Sequence, residues 1–241
     1  MTSTNSPQGS ALRVGVLAVQ GDVREHIRVI ESLGGVASPV RRPDELDQVE
    51  GLIIPGGEST TMDKLTRAFD LAEPLRERIR DGFPVYGSCA GMIMLADTIA
   101  DPSVDLQGSP QQTIGGLDIV VRRNAFGRQR ESFETDLPFA ELPGDGDDVH
   151  AVFIRAPWVE KVGESVKILA QVEAPDTPPA EHGAEQDAGK GHAPPIARIV
   201  AVRSGNLLAT SFHPEVTGEH RIHELFLSMI ATRRAEHVGA L

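Results

Sequence analysis

Three side chains in this sequence have the types and settings that acyl-transfer chemistry needs. Cys89 lies within Gly87-Ser88-Cys89-Ala90-Gly91, after the apolar run Pro84-Val85-Tyr86 and before the apolar stretch Met92-Ile93-Met94-Leu95-Ala96. That order reads as strand, tight turn and helix with the reactive group at the apex, a nucleophile elbow. Gly87 and Gly91 lack a Cβ, so the turn can be strained and strand and helix can pack closely beneath it. Unpaired amides and the helix dipole at such a site favour a thiolate. The amide of Ala90, next after the cysteine, is a first donor to an oxyanion, and the loop amides at Gly56-Gly57 offer further donors. Taken alone, Cys89 has a second reading as a buried thiol acting as a small hydrophobe.

The other two are His213 and Glu215, in Ser211-Phe212-His213-Pro214-Glu215 after the apolar residues 207–210. Pro214 fixes its own φ and biases His213 to an extended backbone, so side chains 213 and 215 project to one side. Glu215 can then accept from one imidazole nitrogen while the other faces a nucleophile. A surface histidine beside an unrelated acid is the alternative for this pair by itself. Together the three make a Cys-His-Glu triad: the thiolate attacks an acyl carbonyl, His213 protonates the leaving nitrogen and activates water, and Glu215 holds the imidazole tautomer.

The elements that must position these groups alternate between strand and helix. Residues 12–19 form a short, nearly continuous apolar run, as expected of a strand buried on both faces. Gln20-Gly21-Asp22 is a turn in which Asp22 is available to cap a helix with Val23, Ile27, Ile30 and Leu33 inward, stopped by Gly34-Gly35. Strands are expected at 36–40 and 51–54, with a short turn or helix at 43–46 between them. After the second comes Pro55-Gly56-Gly57-Glu58-Ser59-Thr60-Thr61-Met62, opening a helix through Leu65, Ala68, Phe69 and Leu71. An ordinary glycine turn with a Ser/Thr cap is the other reading of this loop; it lacks the Gly-Lys-Ser/Thr end of a P-loop. The alternation predicts a mostly parallel, doubly wound sheet flanked by helices, with ligands bound beyond the carboxyl ends of the strands.

Further along, 99–112 reads as a surface loop, 115–124 and 131–137 as strands with antiparallel pairing open, and 149–158 as one strand ending at a proline. Arg122, Arg123 and Arg128 form either a solvated basic face or a fork for a carboxylate. His150 fits an edge or core position. Strands are expected at 166–172 and 196–202, separated by 173–195, a proline- and charge-rich mobile loop whose His182 and His192 lack metal-ligand spacing. The final helix is expected to be capped by Thr217 and to bury Ile222, Leu225, Phe226, Met229 and Ile230. His220 and His223, without a His-Glu-x-x-His pattern, are assigned to its solvated end.

With 35 acidic and 23 basic residues the net charge is −12, which argues against a nucleic-acid or anionic-membrane partner. The single cysteine excludes an intramolecular disulfide framework and fits a cytoplasmic protein. No apolar run is long enough to span a bilayer, and the polar first residues lack the features of a secretory signal. The expected organisation is a flexible tail at 1–11, one domain at 12–235 and a short tail at 236–241. No metal or organic cofactor is required by the chemistry.

The chain also resembles the glutaminase subunits of pyridoxal 5′-phosphate synthase, within the triad-type class I glutamine amidotransferases, over nearly all of residues 12–230. The carriers are Val-Gln-Gly-Asp-Val-Arg-Glu-His (19–26), Pro-Gly-Gly-Glu-Ser-Thr-Thr-Met (55–62), Gly-Ser-Cys-Ala-Gly-Met-Ile (87–93), Arg-Asn-Ala-Phe-Gly-Arg-Gln (123–129), Phe-Ile-Arg-Ala-Pro (153–157) and Ser-Phe-His-Pro-Glu (211–215). The resemblance implies a flavodoxin-like class I amidotransferase architecture with Cys89, His213 and Glu215 catalytic. It implies that L-glutamine is held by Gly57, Glu58, Ser59, Arg123, Ile154 and Arg155, and that Gly57 joins Ala90 in the oxyanion site. It further implies that ammonia passes to a barrel-shaped synthase subunit, with Gln20 and Gly21 helping to complete the oxyanion site on docking. Pyridoxal phosphate is then the product of the complex, not a cofactor of this chain. Ser88 stands where threonine is common, Asp22 where alanine is common, and 173–195 is longer than the family pattern. Readings that stay open are a glutaminase serving another synthase, a stand-alone cysteine hydrolase of γ-glutamyl compounds, and a non-catalytic subunit that keeps the fold.

Overall fold

The computed structural model describes residues 10–123, 132–143, 148–174 and 196–239. Expectations for 1–9, for 124–131 with Arg128, and for 175–195 with His182 and His192 lie outside the described residues. The chain runs β1 (Arg13–Leu17), α1 (Val23–Ser32), β2 (Val36–Val40), α2 (Pro43–Leu46), β3 (Gly51–Ile54), α3 (Ser59–Ala68), α4 (Ala72–Arg80), β4 (Val85–Ser88), α5 (Ala90–Leu95), β5 (Ala96–Ile99) and β6 (Leu117–Arg122). It continues through β7 (Ser132–Leu137), β8 (Val149–Ile154), β9 (Trp158–Val162), β10 (Lys167–Ala174), β11 (Ile196–Ser204), β12 (Leu207–Thr210), α6 (Pro214–Thr217) and α7 (Arg221–Gly239).

The main sheet has the order β2-β1-β3-β4-β12-β11-β9-β6-β5, with β10 on β11, while β7 and β8 form a separate antiparallel pair. From β2 to β12 every pairing is parallel, and antiparallel pairs enter from β11 onward. Side chains alternate across the parallel half. Leu17, Leu52, Ile54 and Val85 join Met62, Leu75 and Met92 in one apolar cluster, whereas Val16, Ile53 and Tyr86 join Ile30, Ile222 and Phe226 in another. Burial on both faces explains why these strands read as unbroken apolar runs.

Several elements depart from the sequence expectation. Helix α3 buries Met62, Asp63 and Thr66, and leaves Ala68 and Phe69 exposed. It ends at Ala68, and Asp70, with a φ of +57°, turns the chain before α4, an element the sequence does not announce. Pro74 is tolerated in the first turn of α4, where backbone amides have no helical partner anyway. The stretch 149–158 divides into β8 and the start of β9, separated at Arg155 with φ +45°. The expected loop from 99 is preceded by the short strand β5. Asp22 occupies the N-cap position of α1 without making a side-chain cap bond, and α1 buries His26 and Val29 along with Ile30. Thr217 belongs to α6, and it is the Glu219 carboxylate that accepts from the Arg221 amide at the start of α7. Helix α7 runs to Gly239, past the boundary expected at 235.

Helix α5 meets the sheet through glycine. A Cβ at Gly91 would lie 2.1 Å from the Ile54 carbonyl oxygen, and one at Gly87 would lie 2.5 Å from the Gly91 backbone. In an open helix Gly→Ala gains about 1 kcal/mol. Here Gly91→Ala is expected to cost about 2 kcal/mol through backbone overpacking, read as a lower urea midpoint at unchanged m-value.

Candidate active site

The carboxyl ends of β1, β3, β4 and β12 are neighbours, because these strands adjoin in the sheet in the order β1-β3-β4-β12. The Gln20 turn, the Gly56-Gly57 loop, Cys89 and His213 follow those four ends and so share one crest, as in other open α/β sheets. Cys89 sits at the apex of the β4–α5 turn with φ +47° and ψ −101°, strained for a residue with a side chain. Its amide donates to the Thr210 carbonyl at 2.8 Å and its carbonyl accepts from Met92 at 3.1 Å, which pins the turn from both sides. Cys89 is 7% exposed, so its side chain is largely enclosed. Ala90 opens α5, directing its amide to the region of the sulfur.

His213 Nδ1 donates to Glu215 Oε1 at 2.8 Å, with the carboxylate fully enclosed. Gly56 packs directly against the imidazole, since a Cβ there would sit 2.3 Å from His213 Cε1. The His213 amide donates to the Val152 carbonyl at 3.2 Å, which brings the end of β8, with Ile154 and Arg155, alongside. Burial disfavours the imidazolium, but the bonds and charges of Cys89 and Glu215 outweigh it and push the His213 pKa up to about 10. Burial raises the Glu215 pKa, while the His213 bond opposes that shift. An imidazolium beside the sulfur at neutral pH suits Cys89 to react as a thiolate and His213 to act first as an acid.

The Gln20-Gly21-Asp22 turn is stapled to the glycine loop. Gln20 Oε1 accepts from the Glu58 amide at 2.7 Å, Asp22 donates its amide to the Gly56 carbonyl at 3.2 Å, and a Cβ at Gly21 would meet that carbonyl at 1.9 Å. Glu58, rather than a serine or threonine, caps α3 by accepting from the amides of Thr60 at 3.3 Å and Thr61 at 2.7 Å. Burial acts to raise its pKa, and the Thr60 and Thr61 donors overcome this and hold it lower than usual. Arg123 lies 3.6 Å from Glu58 across a cleft of about 150 Å³ that Thr60, Ser103 and Gln111 also line. Ser59 is buried, with its hydroxyl donating to Gln111 at 3.4 Å. Ile154, the last residue of β8, is exposed.

Asp22, read from the sequence as a cap and as a departure from a common alanine, lies near the triad, with its Oδ2 3.6 Å from His213 Nδ1. Asp22, His213 and Glu215 offer atoms all within 4.8 Å of one another, but Nδ1 already serves Glu215, so a cation there would replace that bond. His150, by contrast, is exposed and bonded to Asp136 at 2.8 Å, apart from this crest.

Residues 16–232 match the SNO glutamine amidotransferase family. The chain belongs to that family. A pyridoxal 5′-phosphate synthase subunit PdxT of Pseudarthrobacter chlorophenolicus is 64% identical over 235 residues, covering 95% of this chain and 97% of the relative. A protein of the same name from Streptomyces avermitilis is 55% identical over 221 residues, 92% and 95% of the two chains. A crystal structure of a glutamine amidotransferase superposes with a TM-score of 0.72 at 40% identity, covering 90% of this chain and 98% of that one. PurLQS from Thermotoga maritima, at 16% identity over 90% of this chain and 98% of that one with a TM-score of 0.57, shares the fold. Within an amidotransferase the parallel-rich sheet, flanking helices and elbow have the expected arrangement.

Because Cys89 contributes to the His213 shift, removing the sulfur is expected to bring the imidazole back toward its ordinary range. Histidine NMR titration should give about 10 for His213 in the native protein and a lower value in Cys89→Ala.

Proposed function

We propose that this chain is the glutaminase subunit of a pyridoxal 5′-phosphate synthase, hydrolysing L-glutamine to L-glutamate and ammonia with Cys89, His213 and Glu215 as its triad. The observation that carries the reading is a strained cysteine at a strand–helix elbow facing a carboxylate-bound, proton-retaining histidine. The near-complete overlap with relatives named as that subunit supports the choice of pathway.

The Cys89 thiolate attacks the side-chain amide carbon of glutamine, forming a C–S bond while the carbonyl electrons move to oxygen. The amides of Ala90 and Gly57 receive that oxyanion. His213 gives its Nε2 proton to the amide nitrogen, the C–N bond breaks, and ammonia leaves a glutamyl thioester. The now neutral imidazole takes a proton from water, whose oxygen attacks the thioester carbon; the C–S bond breaks, glutamate leaves and the thiolate returns. Glu215 keeps the Nδ1 proton in place throughout. The loop residues Gly57, Glu58 and Ser59 together with Arg123, Ile154 and Arg155 hold glutamine, the guanidinium groups offering forks for its α-carboxylate.

Ammonia passes to a barrel-shaped synthase subunit in a hetero-oligomeric, cytoplasmic complex. Gln20 and Gly21 lie against the loop that carries Gly57, so a partner pressing on that turn can adjust an oxyanion donor. No helix among the described residues is long and apolar enough to cross a membrane.

Glutamate release from glutamine should be slow for the chain alone, rise about 10²-fold or more with the synthase subunit, and vanish in Cys89→Ala. Equal rates with and without the subunit would favour a stand-alone hydrolase, and turnover independent of Cys89 would sink the reading. Gln20→Ala frees the Glu58 amide and is expected to lower the synthase-stimulated rate by roughly tenfold or more, with the rate of the isolated chain little changed.

A further inference from the structure

Behind the triad lies a buried polar chain. The second carboxylate oxygen of Glu215, Oε2, is buried without a hydrogen-bond partner. The imidazole of His26, on α1, points at it, with Nε2 3.6 Å away and both side chains fully enclosed. The same Nε2 is 3.2 Å from Ser88 Oγ, at the end of β4. His26 Nδ1 is 2.9 Å from Nε2 of His223 on α7, and both rings are 0% exposed. Tyr86 packs edge-on against both, with centroids at 6.1 and 5.7 Å. The position of His223 corrects its sequence assignment to a solvated helix end.

Two proton arrangements satisfy the His26–His223 bond when both rings are neutral. Burial keeps both uncharged, holding the His26 pKa well below its ordinary value and bringing that of His223 down to about 3, with His220 adding to the latter. In the first arrangement His26 carries its proton on Nδ1 and gives it to His223. A lone pair on His26 Nε2 then faces the Glu215 carboxylate, while the His223 Nδ1–H is directed toward the backbone carbonyl of Glu219 without a well-formed hydrogen bond. In the second, His223 donates from Nε2, His26 accepts at Nδ1, and the His26 Nε2–H is directed between Ser88 Oγ and Glu215 Oε2. The unmatched atom is then only an acceptor at His223 Nδ1. A carboxylate is a stronger acceptor than a neutral carbonyl, so a proton on His26 Nε2 facing Glu215 gains more than one on His223 Nδ1 facing Glu219. The second arrangement is therefore preferred.

We infer that His26 is a positioning residue for the proposed glutaminase reaction, its Nε2–H holding the carboxylate of Glu215 in line with His213, and that His223 sets the His26 tautomer. The separation of 3.6 Å is just outside hydrogen-bond range, and such contacts tighten when a site closes on its substrate. The chain of command runs from α7 through α1 to the triad, and it rests on the assignment of Glu215 made above. The titratable and charged groups around it are Glu215, His223 and Tyr86 against His26, His213, Cys89 and Asp22 beyond Glu215, and His220 and Glu219 beside His223.

The test uses the complex with the synthase subunit and two variants. His26→Leu removes the donor, whereas the amide of His26→Gln can restore one. A carboxylate that loses a donor binds its proton more tightly, so an active site needing ionised Glu215 fails at higher pH on the acid side. In His26→Leu, kcat should fall roughly tenfold or more with KM for glutamine unchanged, and the acid limb of kcat should move upward in pH. In His26→Gln both should return toward native. A folded His26→Leu with native kcat and acid limb overturns the inference, as does a folded His26→Gln no better than His26→Leu. Independently of any variant, ¹⁵N-histidine NMR of the native chain should show His26 protonated at Nε2 alone; any other protonation pattern overturns the inference even if His26→Leu does not fold. Loss of Cys89-dependent turnover in the native complex would instead refute the glutaminase reading, leaving the tautomer result to stand by itself.

Discussion

The constraint on which the rest depends is the contact between helix α5 and the sheet. Gly87 and Gly91 bring the helix backbone against the Ile54 carbonyl with no room for a single carbon atom. Only at that separation does the chain leave β4 through a positive-φ cysteine and enter α5 at once. A strained residue of this kind costs on the order of 1–3 kcal/mol and persists because its surroundings over-determine it. The bond from the Cys89 amide to Thr210 supplies part of that determination from the neighbouring strand β12. The same strand leads directly to His213, so the element that holds the cysteine also delivers its partner.

Around the elbow, side chains bond to backbone as often as to one another. Gln20 holds the Glu58 amide, Glu58 holds the first amides of α3, and the Asp22 amide donates to the Gly56 carbonyl. Two loops following two neighbouring strands, β1 and β3, thereby behave as one unit. A push on the exposed Gln20 turn is felt at the glycine loop because there is no compressible space between Gly21 and Gly56. Such stiffness suits a site whose oxyanion donors are to be adjusted from outside.

The charge distribution at the site is also particular. Burial works against an imidazolium at His213, yet its contacts with Cys89 and Glu215 outweigh it. Glu215 is under the opposite pressure, since burial favours its neutral form and the His213 bond resists that. The two are coupled through one short bond, and the uncharged pair His26 and His223 borders Glu215 on its other side. A buried carboxylate between a cationic and a neutral imidazole is held by direction as much as by charge.

Much of this was legible in the sequence because it depends on local chemistry. The elbow glycines and the apolar runs of the parallel strands act within a few residues of themselves; the His213–Glu215 pair is local too, but it forms with Pro214–Thr217 turned into α6 rather than on the extended backbone expected there. The signal for His26 was present too, at helical spacing with Val23, Ile27 and Ile30, as was that for His223 beside Ile222 and Phe226; neither spacing alone says what a buried imidazole will meet. Helix α4, the break at Arg155 and the antiparallel half of the sheet escaped, because short polar helices and strand ends take their form from neighbours. Asp22 had the type of a cap, but its place opposite His213 depended on how β1 and β12 are ordered across the sheet. By itself the sequence determined which residues could react and the local turns that present them; only the tertiary structure decided which polar groups face one another, because those contacts join strands and helices up to 197 residues apart, and local backbone preference carries no information over such distances.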